Sequence, residues 1–155
     1  MMTNQTDNSR AALVDSLNGL LADLFALYVK TKSFHWHVRG PAFRDLHLLF
    51  DEQAAELFAL TDVVAERVRK NGAPTLTSLT AMAQRSRIAP QDDPALDAGA
   101  MIAELLADNQ VLLESIRAAK AAAGAAGDNA SEGIADDWTD QAEQRIWFLG
   151  QLIAA

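Results

Sequence analysis

The chain has no cysteine, one tyrosine and only three histidines among its 155 residues. The absence of cysteine excludes a disulfide framework and any thiolate metal site. No uninterrupted apolar run approaches the roughly 20 residues that a membrane-spanning helix needs. Residues 1–10 are polar and lack the apolar stretch of a signal peptide. We therefore expect a cytoplasmic protein without a membrane partner, and we leave nucleoid association open.

Positive charge is also scarce, with 13 lysines and arginines against 21 acids and a formal net charge of −8. Residues 1–10 contain a single basic side chain, Arg10. Proteins bind DNA phosphates through clustered lysine and arginine, so this composition disfavours nucleic acid and favours cations. Half of the residues are hydrophobic and 22% are charged, which is typical of a globular chain.

Apolar residues recur at helical spacing along the chain, and no strand-like alternation is present. We predict a short flexible tail over residues 1–8 and a single domain over residues 9–155. Residues 73–93 form a long middle crossover, in which we expect a short helix near Leu79 with a cap at Thr75. The predicted fold is an all-α four-helix bundle with this extra short helix in the crossover. The long helices are expected from Ser9 to about His37, from Ala42 to Lys70, from Asp93-Pro94 to about Ala121, and from about Ser131 onward.

Potential metal ligands are concentrated around the first connection and on the second helix. At about 100° per residue, His47, Asp51, Asp62 and Glu66 lie on one flank of that helix. The first pair, His47 and Asp51, is one turn apart, and so is the second pair, Asp62 and Glu66. Between Asp51 and Asp62 the helix rises by ~16 Å. A metal bound at ~2 Å cannot collect both pairs from one helix.

Two copies of the second helix can solve this problem if they run antiparallel across a two-fold axis near Glu56–Leu57. The first pair of one chain then faces the second pair of the other, and the contact is made twice. His35, near the end of the first helix, completes a set of two imidazoles and three carboxylates. This set matches iron(II), with manganese and zinc as competitors. An alternative is a plain helical dimerisation module, in which the polar flank is only a seam between helices.

The sequence contains no Glu-x-x-His, the motif that ordinary di-iron bundles use inside one chain. Instead, a dense segment resembles the signature of the Dps family, the ferritin-like mini-ferritins called "DNA-binding protein from starved cells". The residues that carry this resemblance are Lys32-Ser33-Phe34-His35-Trp36-His37-Val38-Arg39-Gly40-Pro41-Ala42-Phe43, then Leu46-His47, Phe50-Asp51-Glu52, Asp62 and Ala65-Glu66-Arg67.

The resemblance extends over the whole domain and implies a ferritin-like bundle that assembles into a hollow dodecamer. It implies a ferroxidase that oxidises iron(II), preferably with hydrogen peroxide, and stores ferric mineral in the cavity, which protects DNA from oxidative damage. Iron is the only cofactor that it implies, and no organic cofactor is expected. The alternative function is a DNA-condensing nucleoid protein with little ferroxidase activity.

Carried over residue by residue, the resemblance makes His35, His47 and Asp51 ligands from one subunit. Asp62 and Glu66 come from its two-fold mate, and all five are the predicted catalytic residues. Trp36 resembles a family tryptophan beside this centre, where it absorbs stray oxidising equivalents or serves only in packing.

The sequence departs from the family in two places. His37 is not the common residue at its position, and it lies about 200° around the helix from His35, which favours a surface or second-site role. The missing basic tail argues against DNA binding of the kind that many members use.

Acids early in the last helix form either a three-fold pore or a solvated helix start, since acids also suit the positive helix N-terminus. The candidate pore residues are Asp128, Glu132 and Asp136.

Overall fold

The computed structural model describes residues 5–154, and five helices account for most of this range. No strand is present within it. The predicted all-α four-helix bundle with a short helix in the middle crossover is confirmed. The helices are α1 (Gln5–His37), α2 (Phe43–Lys70), α3 (Leu79–Arg85), α4 (Ala98–Ala126) and α5 (Asn129–Ile153).

The first helix is the centre of the packing, because it contacts α2, α4 and α3. A short turn over residues 38–42 makes α1 and α2 antiparallel, and the long crossover over residues 71–97 brings α4 back beside α1. The α4 and α5 helices form the second antiparallel pair. The core that these contacts close includes six buried leucines of α1, namely Leu13, Leu17, Leu20, Leu21, Leu24 and Leu27.

By length and composition alone, α1 is apolar enough to cross a membrane. In this fold, 44% of its most apolar window is buried inside the protein. It also buries two charged side chains, Asp23 and Lys30. A helix that is apolar on most sides is typical of a bundle core, so packing against its neighbours accounts for this composition.

The starts of α1 and α4 differ most from the prediction. The α1 helix begins at Gln5 and not at Ser9, because no glycine or proline precedes Ser9 and Asp7 favours the positive end of the helix. Residues 5–8 of the predicted tail are therefore helical, and residues 1–4 lie outside the described range. The α4 helix begins at Ala98 and not at Asp93-Pro94, because the Asp97 carboxylate caps it by accepting from the Ala100 amide at 2.8 Å.

The other boundaries follow from caps and from one glycine. The predicted Thr75 cap of the short helix is wrong, since Ser78 caps α3 by accepting from the Ala81 amide. The α4 helix continues beyond the predicted end at Ala121 and stops at Gly127, whose φ of 72° is left-handed. The α5 helix begins at Asn129, two residues before the predicted Ser131.

The crossover is fixed to the bundle by buried polar contacts. Asp23 of α1 accepts a hydrogen bond from the backbone amide of Arg87 at 2.7 Å and another from the Ser115 hydroxyl at 2.8 Å. Lys30 donates to the carbonyl of Ala89 at 2.9 Å. Because Asp23 and Lys30 are both buried, these bonds hold the connection more firmly than fully exposed ones would.

Candidate metal centre

The turn between α1 and α2 brings His35 and His47 into direct contact. Gly40 makes this turn possible with a φ of 113°, and the Phe43 amide donates to its carbonyl at 3.0 Å. The two imidazoles stack with their ring centroids 3.8 Å apart and their planes 15° from parallel. Phe43 covers the other side of His47, with the ring centroids 5.1 Å apart. The sequence predicted these two histidines near each other, and the structure brings them together.

Each histidine is oriented by the backbone of the other. Nδ1 of His35 lies 2.6 Å from the carbonyl oxygen of His47, and Nδ1 of His47 lies 2.7 Å from the carbonyl oxygen of His35. A carbonyl oxygen only accepts, so each Nδ1 carries the proton and donates it. In the neutral imidazole the lone pair is then on Nε2, which is the arrangement of a metal-ligating histidine.

Asp51 joins the histidines one turn further along α2. Its Oδ1 lies 3.8 Å from Nε2 of His35 and also accepts a hydrogen bond from the ammonium group of Lys32. That bond is the main reason why the pKa of Asp51 lies below its ordinary value, and the two histidines act in the same direction. The Asp51 side chain is 47% exposed, so the carboxylate is ionised and open to solvent at neutral pH.

The second pair of predicted ligands, Asp62 and Glu66, is exposed on α2. Within residues 5–154 of one chain, no group of three or more histidine, aspartate or glutamate side chains is arranged to hold a metal ion. A single chain therefore presents the histidines with Asp51 at one place and the second pair at another.

An exposed apolar surface lies between the two sets of ligands. Phe58 is 53% exposed and packs against Tyr28 with their ring centroids 5.1 Å apart. Leu48, Ala55 and Ala59 are exposed on the same flank of α2. We call these four α2 residues, Leu48, Ala55, Phe58 and Ala59, the α2 flank. An apolar patch bordered by carboxylates is typical of a protein interface.

Comparison with known proteins identifies the family. A family model for the ferritin-like domain matches residues 14–155. The DNA protection during starvation protein of Brevibacillus brevis is 31% identical over 133 residues, which are 86% of this chain and 89% of that protein. The chain belongs to the Dps family. A structure of Dps from Thermosynechococcus elongatus superposes with a TM-score of 0.94 at 26% identity and covers 98% of this chain and 96% of its own.

A low temperature-induced protein of Nostoc sp. is 37% identical over 112 residues, or 72% of this chain. The match covers 63% of that protein, so the chain aligns with less than two thirds of the relative's length. Membership of the Dps family establishes that the bundle described above is the ferritin-like fold.

Two further residues of the Dps motif lie at the surface. Trp36 is 64% exposed, next to His35 in sequence. His37 is also exposed, and its Nδ1 lies 2.8 Å from the carbonyl oxygen of Ser33, within the same helix. The structure therefore separates His37 from the stacked pair, and its role stays open.

The candidate pore acids of this Dps-family chain have different surroundings. Asp128 caps α5 and accepts hydrogen bonds from Arg67 of α2 at 2.8 Å and from Asn71, the residue that follows α2, at 2.9 Å. Asp136 is paired with Lys120 of α4. Glu132 lies beside Gly124, where an added Cβ would be 3.2 Å from its Oε1. A pore formed by these acids stays a prediction.

The network around Asp128 predicts a measurable loss of stability in Asp128→Ala. This variant loses the cap and the link to α2, so we expect the free energy of unfolding to fall by about 2–3 kcal/mol. Asp97→Ala is the matched control, because Asp97 is also a cap, and its expected cost is about 1 kcal/mol. Urea denaturation of both variants measures the difference, and equal losses would contradict the role of the α2 link.

The same network sets the pH dependence of that loss. Burial acts to raise the pKa of Asp128, but hydrogen bonds from Asn71, Ser131 and Arg67 outweigh it and hold that pKa well below its ordinary value of 3.8. The folded state thus binds fewer protons than the unfolded state, and the stabilisation is present above the ordinary pKa. It is lost as the pH falls through the folded-state value, so the difference between wild type and Asp128→Ala should narrow below about pH 4.

The sequence did not identify Lys32 as part of the candidate metal centre formed by His35, His47 and Asp51. The residue lies one turn before His35 on α1, and that spacing of three is the signal that marks it as a neighbour of the ligand. Its contact with Asp51 on another helix follows only from the register of α1 against α2.

Proposed function

We propose that the chain is the subunit of an iron-oxidising and iron-storing shell, and that its ferroxidase centre is shared by two subunits. The observation that carries this proposal is the histidine pair, in which both Nδ1 atoms are taken by backbone carbonyls beside an ionised Asp51. Such a pair is oriented for metal binding through Nε2 even without the metal, which lowers the cost of ordering the ligands on binding.

A partner subunit supplies the missing carboxylates in this proposal. The ligands of one chain fall into two separated sets, and the α2 flank between them is apolar and exposed. An antiparallel contact of two α2 helices across a two-fold axis buries that flank and joins Asp62 and Glu66 of each chain to the histidines of the other. One contact thus completes two centres.

The donor set suits iron as the substrate. Two imidazole nitrogens and three carboxylates are harder than the ligands of structural zinc sites and bind iron(II) and iron(III) well, with manganese and zinc as competitors. In the proposed reaction each of two iron(II) ions gives up one electron. One hydrogen peroxide molecule accepts both electrons with two protons and leaves as two water molecules.

The reaction removes two reagents that together generate hydroxyl radicals. The ferric product is stored as mineral inside the hollow oligomer. We propose that this oligomer has twelve subunits and lies in the cytoplasm. Exposed Trp36 follows a ligand directly in sequence and is oxidisable, so it is suited to capture stray oxidising equivalents near the centre.

Direct DNA binding is not part of the proposed function. Seven of the 13 lysines and arginines form ion pairs with acids of the same chain. Side chains that are already paired offer little to phosphates, and the net charge of −8 repels them. Protection of DNA then results from removal of iron and peroxide.

Anomalous scattering from crystals soaked anaerobically in iron(II) tests the proposal. We expect an anomalous peak that lies beside Nε2 of His35 and His47 and is completed by Asp62 and Glu66 of a second chain. Crystals of His47→Ala should lose the peak, and crystals of the matched variant His37→Ala should keep it. A soak without a peak near His47 would contradict the metal centre, and a peak with ligands from one chain would contradict the shared site.

A further inference from the structure

Within residues 5–154 of one chain, Lys32 is the one lysine or arginine that contacts a proposed ligand. Its ammonium donates to Oδ1 of Asp51, the same oxygen that lies 3.8 Å from Nε2 of His35. The Lys32 side chain is 28% exposed, so it lies at the edge of the site with water on one side. The carboxylate that we assign to a metal is therefore already occupied by an internal positive charge.

An ammonium group and a metal ion compete for this position. Oδ1 of Asp51 either accepts the hydrogen bond from Lys32 or binds a metal cation, and the two positive charges repel each other at short range. Lysine has a flexible four-carbon stem and a compact charge, so it can swing into solvent when the carboxylate is taken. A guanidinium or ammonium fixed in the core could not leave in this way.

We propose that Lys32 is a built-in competitor for the metal at Asp51. It holds the carboxylate beside the histidines while the centre is empty, and it leaves when a divalent cation binds. This inference rests on the proposed function, since it concerns the same centre. The consequence is a threshold in the concentration of free metal. Each divalent cation has to break the same contact, so the centre binds metal only when free metal is abundant.

Removal of the lysine charge should therefore tighten metal binding. The test is a titration of the assembled, metal-free protein with cobalt(II) alone, followed by calorimetry and visible absorption. We expect Lys32→Met to bind cobalt(II) roughly three- to tenfold more tightly than wild type, the value expected for one half-exposed charged hydrogen bond. Lys32→Arg keeps the positive charge and should bind close to the wild-type affinity.

Two controls separate this effect from general ones. Lys70→Met removes the same charge from the exposed end of α2 and should leave the affinity unchanged. Thermal unfolding gives a second readout, because a ligand stabilises the folded state in proportion to its affinity. Metal-free Lys32→Met should melt no higher than wild type, whereas its rise in Tm on addition of cobalt(II) should be larger.

The outcomes distinguish this inference from the proposed function. One outcome is that His47→Ala loses cobalt(II) binding while Lys32→Met binds cobalt(II) like wild type or more weakly. That result would support the metal centre and would contradict the role of Lys32 as a competitor. An equal gain of affinity in Lys70→Met would also overturn it, since the effect would then be one of net charge. If His47→Ala binds cobalt(II) as wild type does, the proposed centre fails and this inference fails with it.

Discussion

Oligomers assembled from a mixture of His47→Ala and Asp62→Ala chains are expected to oxidise iron(II) at about a quarter of the wild-type rate. Each variant alone should lose at least about 100-fold, because each lacks a ligand at every centre. In a mixed dimer one centre carries both defects and the other carries none. Random pairing puts half of the dimers in mixed form, which gives about one quarter of the sites intact.

Co-expression of two differently tagged chains followed by tandem purification provides the mixed oligomers, and peroxide-dependent iron(II) oxidation is the readout. The matched control combines His47→Ala with the double variant His47→Ala/Asp62→Ala, which leaves no centre intact in any pairing. The double variant alone should elute at the wild-type size while its iron oxidation collapses. A mixture that recovers no more activity than this control would exclude a centre shared between subunits.

Arg145→Ala is expected to lower the free energy of unfolding by about 3 kcal/mol, at the low end for a buried charged pair because the Glu56 side chain is 35% exposed. Arg145 is 1% exposed, and it donates to Asn109 of α4 at 2.8 Å and to Glu56 of α2 at 3.2 Å. Burial lowers the pKa of the guanidinium, and the bond with Glu56 opposes that shift. Alanine removes this three-helix link, leaves Oδ1 of Asn109 without its donor and opens a cavity.

Denaturation in urea, with circular dichroism as the signal, measures this loss. Arg117→Ala is the matched control, because Arg117 is an exposed arginine on α4 and its replacement should cost less than about 0.5 kcal/mol. Similar midpoints for the two variants would show that the buried link contributes little to stability.

The architecture of this protein was predictable because periodic leucines, glycine stops and a long crossover each depend on local chemistry. The end of α2 at Lys70 follows from such a local signal, whereas α4 continues past the predicted end at Ala121 and stops at Gly127. The start of α4 was not found, because Asp93 and Asp97 are both acceptable caps and only the packing of the crossover selects Asp97. Capping patterns define a set of possible starts, and tertiary contacts choose among them.

For the candidate centre, the sequence predicts where the proposed ligands lie along and around α2, but not their contacts with each other. Helical spacing predicts that His47 and Asp51 share a flank, and the rise of the helix predicts that Asp62 is too far away. The exchange of hydrogen bonds between His35 and His47 depends on the turn at Gly40, and no spacing rule specifies it. Arg145 escaped prediction altogether, because arginine is rarely buried and its partners come from two other helices.

The separation of the proposed ligands into two sets on one chain determines when iron oxidation can begin after synthesis. If the proposed function holds, a newly made, unpaired subunit presents two incomplete sets of iron ligands and encloses no cavity for the ferric product. Oxidation by such a chain would release insoluble ferric product into open solution. Because the two sets meet only across an interface, catalysis waits until subunits have paired, and its onset depends on protein concentration. Completion of the centre is thereby coupled to subunit pairing, the first step in assembly of the shell.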